Sequence, residues 1–191
     1  MTDRTHVVGL CGSLRDDSGT RIAVDRALAA AAAAGATTEL LDLREWDLPL
    51  FDADAADAGD GPELAARIAA ADGVVLGTPM YHGTYASPVK TALDYCDIED
   101  WAGTTVGLLA VAGGGFPTPA LEHLRAACRE LKAWPLPTQV AIPESWAAFE
   151  DGTVADAEIA ERLDDLGGDV AAYAGVEDYP ERAAAGGLAA D

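Results

Sequence analysis

Short apolar runs alternate with helix-like segments along almost all of this 191-residue chain, and few architectures accept that alternation. Residues 6–11 (His-Val-Val-Gly-Leu-Cys), 38–43, 74–76, 104–111 and 137–142 read as strands. The first is apolar at nearly every position, the pattern of a strand covered on both faces. Residues 20–34, 62–71, 87–96, 118–132 and 155–173 read as helices, the first closed by Gly35. Five strands alternating with five helices predict an α/β three-layer sandwich, with one parallel sheet, helices on both faces and right-handed crossovers. The spacing suits the strand order 2-1-3-4-5. No internal repeat or linker divides the chain, so residues 1–176 are expected to form one domain. The acidic, Ala/Gly-rich residues 177–191 are expected to form a flexible tail.

A sheet of that order binds ligands beyond the carboxyl ends of its strands, beside strands 1 and 3. The loops after Cys11, Leu76 and Val111 are therefore the informative ones. The first is Gly12-Ser-Leu-Arg-Asp-Asp-Ser-Gly-Thr20, leading into a helix. There, backbone N–H groups and the positive end of the helix dipole converge on one place. Ser13, Ser18 and Thr20 can donate further hydrogen bonds, and Arg15 brings a guanidinium suited to phosphate oxygens. Helix capping by Ser18 and a tight turn at Gly12 would account for part of the same pattern. Rival motifs fail on spacing. No lysine completes a P-loop, and Gly9, Gly12 and Gly19 stand at the wrong intervals for a dinucleotide fingerprint. Asp17 stands where a low-molecular-weight tyrosine phosphatase needs arginine, and Asp16 where a nucleophile elbow needs glycine.

The second loop follows a strand expected to break at Thr78-Pro79. The next helix is expected to start with Ser87 as N-cap and Pro88 at its first position. Nothing about a stable core calls for Tyr81, His82 and Tyr85 at the mouth of a strand. The third loop, Gly113-Gly-Gly-Phe-Pro, permits close backbone approach to a ligand.

The charge narrows the function classes. Thirty-three Asp and Glu oppose twelve Lys and Arg, a net charge of −21. Such a field repels nucleic acid and anionic membranes, which need clustered cations. An acidic surface with only Lys90 and Lys132 as lysines is that expected of a salt-accumulating halophile, with a merely acidic mesophile protein as the alternative. No stretch reaches the length of a membrane span and the start is polar, so the expected location is the cytoplasm. Cys11, Cys96 and Cys128 show neither disulfide nor metal spacing, and His6 and His123 read as surface or capping residues. Asp52, Asp54, Asp57 and Asp60 lack EF-hand spacing and read as a solvated loop. Lys90 and Asp94, four apart, suit a subunit contact as well as a local pair.

Taken together, Gly12-Ser-x-Arg-x-x-Ser and Thr78-Pro-Met-Tyr-His-Gly-Thr-Tyr-Ala-Ser-Pro-Val-Lys-Thr-Ala-Leu-Asp94 resemble the NAD(P)H-dependent FMN reductase family of flavodoxin-like proteins. The resemblance covers about residues 7–141. It implies that Ser13, Arg15, Ser18 and Thr20 hold the FMN phosphate. It also implies that Pro79, Met80, Tyr81, His82 and Gly83 wrap the ribityl chain and ring, and that Gly113, Gly114 and Gly115 approach the flavin edge. Family members often carry asparagine where this chain has Arg21. The implied activity is oxidoreduction: electrons from NADPH or NADH pass through FMN to a flavin, quinone or similar small acceptor, in a homodimer or homotetramer. No protein acid-base catalyst is required, because the flavin carries the chemistry. Two alternatives stand beside it: a flavodoxin-type electron carrier, and a flavodoxin-like interaction protein without cofactor. Arg15 and the Tyr81–Tyr85 segment favour the reductase over the carrier.

Overall fold

In the computed structural model, which describes residues 4–175, β1 (His6–Cys11) pairs in parallel with β2 (Thr37–Asp42) on one side and β3 (Gly73–Tyr81) on the other. A two-residue β4 (Thr84–Tyr85) folds back antiparallel on the end of β3. Beyond β3, β5 (Thr105–Val111) and β6 (Trp134–Ile142) continue the sheet in parallel, giving the order β2-β1-β3-β5-β6. With β4 set aside, this is the predicted flavodoxin-like order. The fold class agrees with the sequence reading.

Alternation along the strands divides the core. Val7, Cys11, Val75 and Leu109 pack beneath α1 (Gly19–Ala33) and α7 (Ala157–Tyr173). Val8, Leu10, Val74, Leu76 and Leu108 pack with α2 (Gly61–Ala69), α3 (Ser87–Asp94) and α5 (Thr118–Glu130). The short α4 (Ile98–Trp101) drops the fully buried Trp101 into that second layer. Helices α1 and α7 touch closely at Gly167, where an added Cβ would lie 1.9 Å from the Ala27 carbonyl oxygen.

Several local expectations are corrected. β3 does not break at Thr78-Pro79 but runs on to Tyr81. The fully buried Thr78 makes this possible: its Oγ1 accepts from the Ala86 N–H at 3.0 Å and donates to the Pro79 carbonyl at 2.9 Å. The chain then reverses in a two-residue hairpin turn at His82 and Gly83, both at positive φ (51° and 80°). Such a turn matches the strand twist and favours glycine at its second position. The N-cap of α3 is Ala86 rather than Ser87; Pro88 still lies in the first turn, where its missing N–H costs nothing. β6 starts at Trp134, three residues before the expected 137, and carries Pro135 and Pro137. They are accepted because β6 is an edge strand with a register shift opposite Val106 and Leu108.

Lys90 and Asp94 pair within α3 itself. His123 Nδ1 meets Thr84 Oγ1 at 2.8 Å, tying α5 to the hairpin. In the acidic loop, Asp52 caps a single 3-10 turn (Ala53–Ala55), and the Asp60 carboxylate accepts from the Asp47 N–H at 2.8 Å. The expected tail at 177–191 lies outside the described residues.

Candidate functional site

A cleft of about 880 Å³ opens at the carboxyl ends of β1, β3 and β5. Its floor follows from the β1–α1 turn. Gly12 passes so close to Val89 that a Cβ would sit 2.1 Å from Val89 Cγ2, while Gly12 N–H donates to the Gly77 carbonyl at 2.9 Å. Three hydroxyl residues at this turn are almost fully buried: Ser13 (3 % exposed), Ser18 (5 %) and Thr20 (2 %). Ser18 is the N-cap of α1, its Oγ accepting from the Arg21 N–H at 3.1 Å. Ser13 Oγ accepts from the Arg15 N–H at 3.4 Å. In both, the oxygen is engaged as acceptor while the hydroxyl proton stays free to donate outward. With the amino end of a 15-residue helix beside them, these groups make a cradle whose donors suit an anion.

A charged network braces the cradle from the neighbouring strand. Asp42, at the end of β2 and 2 % exposed, accepts from the Arg44 N–H at 3.2 Å and from Arg44 Nε at 3.3 Å. Arg44 Nη1 donates to the Arg15 carbonyl and to Asp16 Oδ1, both at 3.1 Å. Arg21 Nε lies 3.4 Å from Asp42 and 3.8 Å from Asp25, yet it is buried and makes no hydrogen bond. Burial raises the Asp25 carboxyl above the ordinary range, Arg21 opposes the rise, and Asp42 adds to it. Below the turn, burial pushes the Cys11 thiol up to about 11.

Pro79, Met80 and Tyr81 form one wall, Tyr81 being half exposed. Val111, Ala112 and Gly113 close the far end. Eight of the residues predicted from sequence thus meet in one cleft: Ser13, Arg15, Ser18, Thr20, Pro79, Met80, Tyr81 and Gly113. His82, Gly83, Gly114 and Gly115 do not line it; the first two form the tip of the hairpin turn.

The opposite wall was missed by sequence reasoning. After β6, a short α6 (Ser145–Ala148) and a tight hairpin of β7 (Phe149–Glu150) and β8 (Thr153–Val154) cross back toward α1. They bring Ser145, Trp146, Phe149, Glu150, Asp151 and Gly152 to the cleft. Gly19 is small because Phe149 covers it, with Cε2 2.5 Å from where a Cβ would stand. The missed signal was Asp151-Gly152, both at positive φ (46° and 74°), a strong two-residue hairpin marker. Trp146 is 75 % exposed although it borders the cleft.

Fold and cleft together define a doubly wound α/β protein of flavodoxin type, with buried hydroxyls and a helix amino end at its topological switch point. The sequence profile of the NADPH-dependent FMN reductase family matches residues 5–147, and the chain belongs to that family. The FMN-dependent NADPH-azoreductase of Staphylococcus aureus (strain USA300) is 39 % identical over 92 residues, 48 % of this chain and 49 % of that protein. The chain thus spans about half the length of the curated relatives it matches. A Corynebacterium diphtheriae oxidoreductase superposes with a TM-score of 0.73 at 23 % identity, over 92 % of this chain and 99 % of its own. A flavoenzyme NAD(P)H:(acceptor) oxidoreductase from Paracoccus denitrificans gives 0.73 at 24 % identity, over 88 % and 96 %. These two structures share the fold.

Proposed function

We propose that this protein is an FMN-dependent NAD(P)H oxidoreductase that passes electrons to a small acceptor such as a flavin, a quinone or an azo compound. The observation that carries the reading is the cradle of buried Ser13, Ser18 and Thr20 at the start of α1, in a chain of this family. The donor set fits FMN: hydroxyls, helix N–H groups and one guanidinium suit a phosphate monoester, and the cleft is large enough for a nucleotide-sized ligand. The relative from Staphylococcus aureus, named for FMN, NADPH and azo reduction, supports the same assignment.

Bound FMN supplies the two-electron chemistry between nicotinamide and acceptor. In this reading the chain's own residues bind and orient. Ser13, Ser18 and Thr20 donate to the phosphate, and Arg15 neutralises part of its charge. Pro79, Met80 and Tyr81 line the ring and ribityl chain on one side and exclude water there. Gly113, lacking a side chain, leaves the end of β5 open to the ring edge. Trp146 offers an aromatic face across the cleft, suited to stacking on a planar ring. His82, Gly83, Gly114 and Gly115 act by shaping the two loops that flank the cleft.

A high-salt setting belongs to the same proposal on the strength of the net charge of −21, and a cytoplasmic homo-oligomer on the resemblance to the family. Among the described residues, no helix is long and apolar enough to cross a membrane. The test is steady-state oxidation of NADH and NADPH by FMN-loaded protein with free flavin, a quinone or an azo dye and no partner protein. Turnover supports the reductase. A bound flavin that turns over only with a protein partner would indicate a carrier, and failure to bind flavin would indicate an interaction protein.

A further inference from the structure

The two carboxylate oxygens of Asp42 connect the two arginines that flank the β1–α1 turn. Asp42 ends β2, and the β1–β2 register sets it beside Cys11, the last residue before that turn. It is 2 % exposed and is not among the residues that line the cleft. Its Oδ1 accepts from the Arg44 N–H at 3.2 Å. Its Oδ2 lies 3.3 Å from Arg44 Nε and 3.4 Å from Arg21 Nε. Both oxygens therefore face donors.

Each arginine leads to one end of the turn. Arg44 Nη1 donates to the Arg15 carbonyl and to Asp16 Oδ1 near its start. Arg21 stands at its end, in the first turn of α1, where its N–H donates to Ser18 Oγ and its side chain lines the cleft. Asp25, one helical turn further on, lies 3.8 Å from the same Arg21 Nε. That Nε is buried and makes no hydrogen bond, so the attraction of two carboxylates holds the guanidinium in place. Arg15, the other arginine lining the cleft, is left for a ligand.

Resting on the flavin reductase reading above, we propose that Asp42 is a positioning residue for the flavin phosphate. Without touching the ligand, its carboxylate fixes the Arg15 peptide through Arg44 and the start of α1 through Arg21. Charge by itself argues the opposite sign: removing a carboxylate near a phosphate site should tighten the phosphate. Geometry opposes this. Asparagine, of the same size, carries one acceptor and one donor group. Whichever way its amide turns, the NH2 meets either the Arg44 N–H or the two Nε groups, donor against donor. The buried carboxylate also faces two guanidiniums, which already offset its repulsion of a phosphate. Loss of the anchor therefore outweighs the gain in charge.

The experiment titrates FMN and riboflavin against the full chain and its Asp42→Asn, Arg21→Gln and double variants. Flavin fluorescence is read at about 1 M KCl, where long-range charge is screened. Asp42→Asn should raise the FMN dissociation constant by about tenfold or more and leave riboflavin within about twofold. Arg21→Gln should raise that for FMN by about threefold or more. Because the two side chains act through one network, the double variant should stay within about twofold of Asp42→Asn. Asp42→Asn binding FMN as tightly as the wild type or more so, equal losses for both flavins, or additive losses in the double variant each overturn the proposal. Should Asp42→Asn not fold, Arg21→Gln carries the test, its side chain being 40 % exposed, and unchanged FMN affinity there overturns the proposal. A wild type that binds FMN no better than riboflavin overturns the phosphate reading itself, and this proposal with it.

Discussion

Arg44 Nη1 donates to the carbonyl oxygen of Arg15 at 3.1 Å, bridging the β2 and β1 loops across 29 positions of sequence. The same nitrogen reaches Asp16, and Nε reaches the buried Asp42. The cradle is therefore held by an arginine that does not line it. Fixing the Arg15 carbonyl orients the peptide that carries the one uncommitted guanidinium among the cleft cations.

Arg44→Met should raise the FMN dissociation constant by about tenfold, through loss of hydrogen bonds to charged groups that hold the loop. It should also lower the melting temperature, since Asp42 keeps only Arg21 nearby. Fluorescence titration and thermal melting check both effects. A lower melting point with FMN affinity unchanged would contradict the clamp.

Two adjacent glycines of α7 should respond with opposite signs. At Gly167 a Cβ meets the Ala27 backbone at 1.9 Å, whereas at Gly168 nothing lies within 4 Å. Gly167→Ala should cost about 1–3 kcal/mol by forcing α1 and α7 apart. Gly168→Ala should gain about 0.5–1 kcal/mol by removing a flexible residue from a helix interior. Denaturant melts of the two variants decide it; equal signs would refute the α1–α7 contact.

The three thiols set an alkaline limit. Burial pushes Cys11 and Cys96 from 9.0 up to about 11 and Cys128 up to about 12. In the unfolded chain they ionise near 9, so the unfolded state gains proton release first as pH rises. Their contribution to stability is complete below about pH 9 and is lost progressively toward pH 11–12. Melting temperature should fall over that window, and iodoacetamide at pH 8 should label the thiols only after unfolding. Rapid labelling of the native protein would contradict this.

The sheet order was legible because the central strands β1, β3 and β5, buried along nearly their whole length, read as apolar runs between helical segments. The meeting of Ser13, Arg15, Ser18 and Thr20 in one cleft was legible because all four follow strand 1 in one loop and the helix start after it. The end of β3 was not, because Pro79 reads as a breaker until the Thr78 hydroxyl is seen to satisfy the surrounding backbone. The wall carrying Trp146 and Phe149 was hidden for a different reason: its strands have two residues each, too short for any periodicity. Only Asp151-Gly152 marked it. Nor does sequence spacing reveal a tertiary clamp such as that of Arg44 on Arg15.

A net charge of −21 makes the compact state repel itself. Raising KCl from about 50 mM toward 1 M shortens the screening length from over 10 Å to about 3 Å. The long-range repulsion should vanish while the close cradle contacts persist, so melting temperature and FMN affinity should rise together. Values that stay flat or fall across the series would contradict a salt-adapted surface.

In the proposed function, the β1–α1 turn grips the phosphate of FMN. The most direct measurement of that grip is the affinity of FMN and of riboflavin, which lacks the phosphate, for the wild-type chain and for Arg15→Ala. The wild type should prefer FMN. Arg15→Ala should weaken FMN by about ten- to a hundredfold, the worth of a charge-assisted hydrogen bond, and leave riboflavin within about twofold. Equal losses for the two flavins, or a wild type that does not distinguish them, would contradict the account.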